Sequence, residues 1–493
     1  MTPKDMMVVD ANAEAMGISR SSLMENAGCS LAQKILEIVE PCRVTIFGGV
    51  GGNGGDGFVA ARHLLNYGFE VEVLLLGHSC QIKSQETLTN WEILQNIDHN
   101  LSDLQITVVN DSSQITQTGS DVVVDALLGT GAHGEIKEPF STAIDIINQS
   151  EAVKVAVDIP SGLDPHTGVV SHKAVKADHT ITFHRKKTGL EKANVDYVGT
   201  VHVCDIGIPR DVEVYAGPGD LLRLRKRDQK SHKGQNGRVL IIGGSKDYSG
   251  APALAALAVL GSGADLSIVT CPKVVSSAIR SYSQDLIVKS LPSDVILPSD
   301  VDTIIKFSKN VDSVVLGCGI GTEEGTKLAV NQILENIEKP VLLDADALKL
   351  VDLDIINQKL ELVLTPHSSE FKAVFGTEVP ENLDDKISLI RNLTLKSSFT
   401  ILLKGKIDLI GYNGLFKLNK TGNPGMTVGG TGDCLAGLVG GLMAQGHSGF
   451  EAALLGAYIN GRAGDLTKEK YGYNFTASDI LRFLPQAFLS DTD

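Results

Sequence analysis

Short, β-branched, apolar runs recur along the whole chain, and most neighbouring pairs are separated by enough residues for a helix. No other feature constrains the fold as tightly. The runs are Val44–Phe47, Val71–Leu76, Val122–Asp125, Val153–Asp158, Val239–Ile242, Leu266–Thr270, Val314–Leu316, Val341–Asp344, Leu362–Leu364 and Thr400–Leu403. They are apolar at successive rather than alternate positions, as strands buried on both faces are. Strands of this kind joined by helices build three-layer α/β domains around largely parallel sheets. Many of the 51 glycines stand at strand ends, where parallel sheets bind ligands.

With 493 residues the chain can fill more than one core. The basic run LLRLRKRDQKSHK, Leu221–Lys233, divides two glycine-rich α/β patterns and places a linker near residues 215–232. A solvated helix, or an arm packed on one domain, is the other reading of that run. Domains are therefore expected over 1–220 and 225–490. The formal net charge of -15 argues against a nucleic-acid partner, which calls for excess Lys and Arg. Small anions remain compatible with it, since helix N-termini hold phosphates through main-chain amides. The 7 cysteines include no C-x-x-C pair and read as reduced thiols. The 12 histidines show no zinc spacing. The N-terminal stretch MTPKDMMVVDANAEAMGISR lacks the basic and apolar regions of a signal peptide. The apolar stretch Ala251–Val269 is broken by Gly261, Gly263 and Asp265, which argues against a membrane span. A cytoplasmic protein with no membrane partner is expected. Glycine-rich α/β enzymes of this size often assemble, so a homo-oligomer is expected too.

Two regions carry chemistry. Arg43–Arg62 reads RVTIFGGVGGNGGDGFVAAR: a strand ending at Phe47, a glycine loop, then a helix expected to start near Asp56. Glycines there would allow positive φ and close approach of a ligand, and the helix start offers unpaired amides and a partial positive charge. A phosphate or ribose phosphate suits such a loop. Gly49, Gly51 and Gly54 satisfy G-x-G-x-x-G, but the next strand ends Leu76-Gly77-His78, without the acid that holds ribose hydroxyls. That disfavours an ordinary hydride-transferring dehydrogenase. Gly405-Lys406 is followed by Ile407, so there is no Walker A motif. Asp125 and Asp158 close two further strands and would face the first glycine loop. Asn53, Asp125 and Ser161 offer only hard oxygen ligands, suited to an alkali or hard divalent cation. A strand-end aspartate also commonly caps the next helix; three loops meeting at one sheet edge favour a site.

SLMENAG (Ser22–Gly28), GNGGDG (Gly52–Gly57), DALLGTG (Asp125–Gly131) and DIPSGLD (Asp158–Asp164) resemble the YjeF N-terminal domain, the NAD(P)H-hydrate epimerase family, over about residues 1–215. The resemblance implies a potassium ion held by Asn53, Asp125 and Ser161. It implies substrate contacts at Gly52, Asn53, Gly54, Gly55 and Asp56, and at Gly129, Thr130, Gly131, Ala132, His133, Gly134 and Glu135. It also implies contact at Asp158, with acid/base work there. The family usually has two asparagines where this chain has Gly52-Asn53.

The second region, Asn423–Gly446, reads NPGMTVGGTGDCLAGLVGGLMAQG. Gly429, Gly430, Thr431 and Gly432 would turn their amides into one concavity, an anion hole for a transferring phosphoryl group. Asp433 at its mouth can take a proton from an attacking hydroxyl; capping the helix is its other reading. The stretch resembles the ribokinase-like superfamily. The segments around Asn236–Thr270, GCGIGT (Gly317–Thr322), LDADAL (Leu343–Leu348), LTPHSSEF (Leu364–Phe371) and LLKGKID (Leu402–Asp408) narrow the likeness to the ADP/ATP-dependent NAD(P)H-hydrate dehydratases, over about residues 225–490. That resemblance implies substrate contacts at Ala264, Gly319, His367 and Asp433. It implies nucleotide contacts at Lys404, Gly405, Lys406, Ile407, Asp408 and Gly432, with magnesium accompanying ADP. The chain departs from the family pattern at Asp265, Ser368, Ser369 and Asp408, and Asp408 would place a negative charge near a nucleotide phosphate.

Together the two resemblances imply one repair sequence on NADH or NADPH hydrate. The first domain would interconvert the R and S epimers, and the second would dehydrate the S form at the expense of ADP. The alternatives are a ribokinase-like small-molecule kinase and a non-enzymatic scaffold built on the first domain.

Overall fold

The computed structural model describes residues 1–97, 102–117, 119–131, 134–355 and 361–489. The chain divides into two compact units, Met1–Val212 and Glu213–Asp493.

The strands of the first unit are β1 (Arg43–Gly48), β2 (Glu70–Leu76), β3 (Leu104–Val109), β4 (Val122–Ala126), β5 (Val153–Val157), β6 (His179–Phe183) and β7 (Thr200–Cys204). Among the described residues they form one parallel sheet in the order β3-β2-β1-β4-β5-β6-β7. Successive residues of β1 point to opposite faces. Val44 and Ile46 enter a cluster with the helices Pro3–Ala15, Arg20–Ile38 and Gly52–Asn66. Phe47 faces Ile144 and Ile147 of the helix Phe140–Gln149. Both faces are covered, which is why the central strands read as continuous apolar runs.

The second unit contains β8 (Arg238–Ile242), β9 (Leu266–Pro272), β10 (Ile287–Leu291), β11 (Ser313–Leu316), β12 (Val341–Leu343), β13 (Leu362–Leu364), β14 (Thr400–Leu403), β15 (Asp408–Tyr412) and β16 (Leu415–Asn419). Their order among the described residues is β10-β9-β8-β11-β12-β13-β14-β15-β16, parallel as far as β14, with the last two strands antiparallel. Val239 and Ile241 pack with the helices Gly250–Gly261, Thr431–Ala444 and Gly449–Tyr471. Leu240 and Ile242 pack with Val301–Ser308 and Glu324–Asn336 on the other face. Gly437 lets two helices touch: a methyl group there would overlap the Ala255 carbonyl oxygen.

In each sheet the strand order reverses once, between β1 and β4 and between β8 and β11. At such a point neighbouring loops leave in opposite directions and open a crevice at the strands' carboxyl ends.

The segment expected to be a linker is instead built into the second unit. Tyr215 bridges to Leu418, the Ala216 amide donates to the Leu418 carbonyl at 2.7 Å, and Ala216 and Leu221 enter the second core. Arg225 donates to the Gly446 carbonyl, and Arg227 pairs with Asp265 at 2.5 Å. Arg223 and Arg227 have charge partners in Asp220 and Asp265, while most other residues of the run are exposed. No helix among the described residues is long and apolar enough to cross a membrane.

Candidate active sites

In the first unit the helix after β1 begins at Gly52, a turn before the expected start at Asp56. Gly49, Gly54, Gly55 and Gly57 serve space rather than handedness, while Gly51 and Gly52 have open room around them. None of Gly49, Gly51, Gly52, Gly54, Gly55 or Gly57 has a positive φ. A methyl group on Gly54 would overlap the Gly49 carbonyl oxygen. The helix start is thereby drawn in against the end of β1, with its first amides at the crevice. No side chain caps it.

Ser161 bonds Asp125, and Asn53 and Ser161 both reach the Leu128 carbonyl. The Asn53 amide donates to the Val157 carbonyl at 2.8 Å and the Leu128 carbonyl at 3.2 Å. Its Oδ1 faces Gly129, where a Cβ would lie 2.6 Å away. Asp125 accepts from the Ser161 amide at 2.8 Å, the Ser161 hydroxyl at 2.6 Å and the Leu127 amide at 3.3 Å. Burial pushes its carboxyl up to about 6 despite these bonds. Among the described residues no cationic side chain pairs with Asp125, so hydrogen bonds alone compensate its charge. A buried anion with two neutral oxygen donors beside it fits a monovalent cation.

Gly129, Thr130, Gly131, Gly134 and Glu135 follow β4 at the same edge. Ala132 and His133 lie outside the described residues.

Asp158 follows β5 with φ 61, a positive value that is uncommon for non-glycine residues but that aspartate tolerates better than most. Its Oδ1 accepts from the Thr182 hydroxyl at 2.9 Å, the Phe183 amide at 3.3 Å and Lys187 Nζ. Lys187 is 2% exposed. It also donates to Thr182 Oγ1 at 3.1 Å and the Phe183 carbonyl at 3.0 Å, so its three protons are all used. These bonds all fall on one carboxylate oxygen, Oδ1. Two further carboxyls feel this pair. Burial, followed by the charge of Asp158, pushes Asp56 well above the usual carboxylate range. Asp10 is raised to about 6 by burial, with Lys187 opposing and Asp158 adding to the rise. The site thus holds an oriented carboxylate together with carboxyls whose pKa values are raised. Sequence reasoning missed Lys187 and Asp10. Nothing local separates Lys187 from Lys186, and Asp10 sits on a helix remote in sequence from every motif.

In the second unit the crevice lies between the ends of β8 and β11. Gly430, at φ 95, caps the helix Thr431–Ala444 without any side-chain bond. Asp433 therefore does not serve as that cap. One ligand atom from each of Asp433, Asp344 and Cys318 lies within 4.8 Å of the others. Burial and then the nearby Asp344 push Asp433 up to about 6, while a hydrogen bond from the Cys318 thiol pulls the other way. Burial pushes the Cys318 thiol far up, so it stays a donor.

Asp344 is held by Lys404 Nζ at 2.7 Å and the Thr365 hydroxyl at 2.9 Å. Lys404 also lies 3.6 Å from Glu370, whose other oxygen meets His367 Nε2 at 3.2 Å. Burial opposes the Lys404 charge, but Asp344, Glu370 and Asp433 outweigh it and raise its pKa. A run of polar contacts thus joins His367 to Asp433. Ser368 opens a helix, and Ser369 bonds the His367 ring at 2.9 Å.

A cleft of about 530 Å³ adjoins Asp433, with Lys404, Gly405, Lys406, Asp408 and Gly432 in its wall. Ile407 packs aside against a hydrophobic cluster. Asp408 does not confront a ligand as a free charge: it accepts from the Gly405 amide and from Asn419 Nδ2, each at 3.0 Å, and closes its own loop. Gly319 is in place, with φ +67, against Tyr248 and Ala251.

Ala264 is a correction. It precedes β9 and is buried in the core, while the Asp265 amide next to it bonds to Gly237 ahead of β8. That is the amino end of the sheet, opposite the crevice. The alanine that reaches Gly319 is Ala251, its Cβ 3.5 Å from where a Gly319 Cβ would be. Asp265 itself accepts from the Gly234 amide at 2.6 Å and anchors the basic run.

Comparison with known proteins agrees with both halves. A family described as YjeF-related protein N-terminus matches residues 20–189, and one described as NAD(P)H-hydrate dehydratase matches residues 239–486. A protein of Methanothermobacter thermautotrophicus named bifunctional NAD(P)H-hydrate repair enzyme is 51% identical over 490 residues, covering 98% of this chain and 94% of its own. One of the same name from Archaeoglobus fulgidus is 41% identical over 490 residues, covering 99% and 98%. The crystal structure of a hypothetical protein from Streptococcus mutans covers 56% of this chain and 98% of its own, with a TM-score of 0.50 and 23% identity; that likeness concerns the fold alone. With both halves matched and relatives this similar from end to end, the chain belongs to the bifunctional NAD(P)H-hydrate repair enzyme family.

Proposed function

We propose that the first crevice epimerises R and S NAD(P)H hydrate and that the second dehydrates the S form with ADP, giving AMP and phosphate. The observation that carries this reading is Asp433. It is a half-buried carboxylate, not consumed as a helix cap, at the mouth of a glycine helix start beside a lysine-lined cleft.

In the first site, Asp158 Oδ2 exchanges a proton with the carbon-6 hydroxyl as the ring nitrogen expels it, and the hydroxyl returns on the other face. Asp56, raised by burial and then by the charge of Asp158, is the second acid of this site. Asn53, Asp125 and Ser161 would hold a potassium ion, whose charge compensates Asp125 and stiffens the loops around the substrate.

In the second site, Asp433 takes the proton of the carbon-6 hydroxyl. The freed oxygen attacks the terminal phosphorus of ADP and AMP leaves. The ring nitrogen then expels phosphate from carbon 6, and loss of a carbon-5 proton restores the dihydronicotinamide. Lys404 and the amides at Gly430–Gly432 steady the phosphoryl oxygens. Asp344 and Asp433 offer the hard oxygens that a magnesium ion travelling with ADP prefers; magnesium would supply charge neutralisation on the phosphates.

The test is an assay on mixed R and S NADH hydrate, following recovery of absorbance at 340 nm and release of phosphate. Asp433→Asn is expected to lower dehydration by roughly 10²–10⁴-fold while R and S still interconvert. Asp158→Ala is expected to stall only the R form. Near-parental consumption of S hydrate by Asp433→Asn would remove the proposed base, and a stable phosphorylated product would make the protein a kinase instead.

A further inference from the structure

We propose that Cys318, Asp344 and Asp433 form a binding site for zinc, a thiophilic divalent cation, and that its occupancy stops dehydration. The inhibitory part rests on Asp433 as the base of the second crevice; the binding part does not.

One ligand atom from each of these side chains lies within 4.8 Å of the other two, and no other such group of His, Cys, Asp or Glu occurs among the described residues. Separate elements bring them together. Cys318 follows β11, Asp344 follows β12, and Asp433 stands in the first turn of the helix Thr431–Ala444. Cys318 is fully buried, and its thiol donates to Asp433. Asp344 is 2% exposed. Its Oδ1 is taken by Lys404 and Thr365. Its Oδ2 lies 3.9 Å from where a Gly432 Cβ would stand and has no hydrogen-bond partner among the described residues. A carboxylate oxygen so enclosed calls for a partner. Asp433, half-buried, is the member that solvent reaches.

Charge and softness name the partner. A metal-bound thiol gives up its proton. The S–H bond breaks, the proton leaves to solvent, and the electron pair left on sulfur binds the cation. The ligands then carry one negative charge each. Lys404 meets that of Asp344 Oδ1, and the other two match a divalent cation. Magnesium prefers oxygens in an octahedral shell and gains little from sulfur. Zinc binds a thiolate beside carboxylates and is content with few protein ligands and a water. Ligand atoms around a tetrahedral zinc ion stand about 3.5 Å apart, so a closure of about 1 Å completes the set. Bound there, zinc occupies the carboxylate that accepts the hydroxyl proton. Epimerisation in the first unit is left running.

Binding is tested with cobalt(II) alone added to the full chain, which reports a thiolate ligand by a charge-transfer band in the near ultraviolet. The wild-type protein is expected to show the band. Cys318→Ala is expected to lose it, which separates this thiol from Cys80, the exposed cysteine. Inhibition is tested on purified S-NADH hydrate with magnesium and ADP at buffered free zinc, each variant being compared with itself without zinc. At ten times the dissociation constant of zinc, wild-type dehydration is expected to fall about tenfold by mass action, and a chelator is expected to restore it. Cys318→Ala and Cys318→Ser are expected to need at least about 100-fold more zinc, the upper range for loss of even an outer partner of a metal site. Thermal unfolding checks that both are folded.

A cobalt band that persists in Cys318→Ala overturns the proposal. So does wild-type dehydration indifferent to zinc, or equal inhibition of wild type and both variants, or parallel loss of epimerisation. If the wild-type protein dehydrates nothing even without zinc, the reading of the second crevice falls, and the cobalt band still decides whether the metal site exists.

Discussion

At the scale of single residues, both sites set a carboxylate against a partner that governs it. Cys318 donates to Asp433 and lowers its pKa, against the rise caused by burial and Asp344. Dehydration should therefore fall as pH drops through about 6, where Asp433 gains a proton. Cys318→Ala removes a donor to the charged form, so the acidic limb of the rate profile should move to higher pH. An unmoved limb would show that the thiol does not tune the base. Lys187 plays the corresponding part for Asp158. Its loss leaves a buried carboxylate without its partner, which is strongly destabilising in general, by about 3–5 kcal/mol. Lys187→Met is expected to depress epimerisation and to unfold the first unit earlier, with ADP-dependent dehydration of purified S hydrate retained. Asp433 was legible from sequence because glycines, an acid and a helix start coincide in one stretch. Lys187 was not, because its meaning comes from Asp158, 29 residues away, across the β5–β6 edge.

At the scale of elements, close approach decides more than helix propensity. The helix Gly52–Asn66 carries glycines in its first turns where a better helix former would be stable but would not fit. Gly54→Ala is expected to cost about 1–3 kcal/mol through overpacking against Gly49 and to lower epimerase activity by shifting the helix start. A melting temperature equal to the parent's would show that the contact can relax. The same glycines were read from sequence as sources of positive φ, and the helix start was put a turn late. Composition reports that a glycine is needed but not which of its two properties is in use. The central strands were legible, since burial on both faces leaves an apolar run. The strands β3, β7, β10 and β16 were missed because they lie at sheet edges and keep exposed positions; β6 and β15 were missed although they lie inside their sheets, β6 because His179, Thr180 and Thr182 break its apolar run.

At the scale of the whole molecule, several wholly or partly buried carboxyls have raised pKa values, with Asp10, Asp125 and Asp433 each at about 6. Unfolding returns them to the ordinary range near 3.8. Between those values the folded chain binds more protons, so their contribution to stability is full below about 4 and is lost as pH rises through 6. Potassium should oppose that loss in the first unit, because it binds best when Asp125 is ionised. At pH 7.5 a saturating excess of potassium, 100 times its dissociation constant, is expected to add about 2.7 kcal/mol. The gain should shrink below pH 6 and vanish in Asp125→Asn. A melting temperature indifferent to potassium at pH 7.5 would argue against a cation at this cluster.

The sequence by itself determined the α/β class, the glycine-opened crevices and the acids at their mouths, because strand burial, helix starts and strand-end carboxylates are written in contiguous residues. Tertiary structure alone decided which groups pair across the sheets. Lys187 with Asp158, Cys318 with Asp433, and Ala251 rather than Ala264 beside Gly319 follow from strand order and face, which bring residues together regardless of their distance along the chain. The basic run at Leu221–Lys233 shows the same limit. Its polarity signalled exposure, which most of its residues have, but Leu221 in the core, the Arg227–Asp265 pair and the bridge of nearby Tyr215 to β16 made the segment part of a domain.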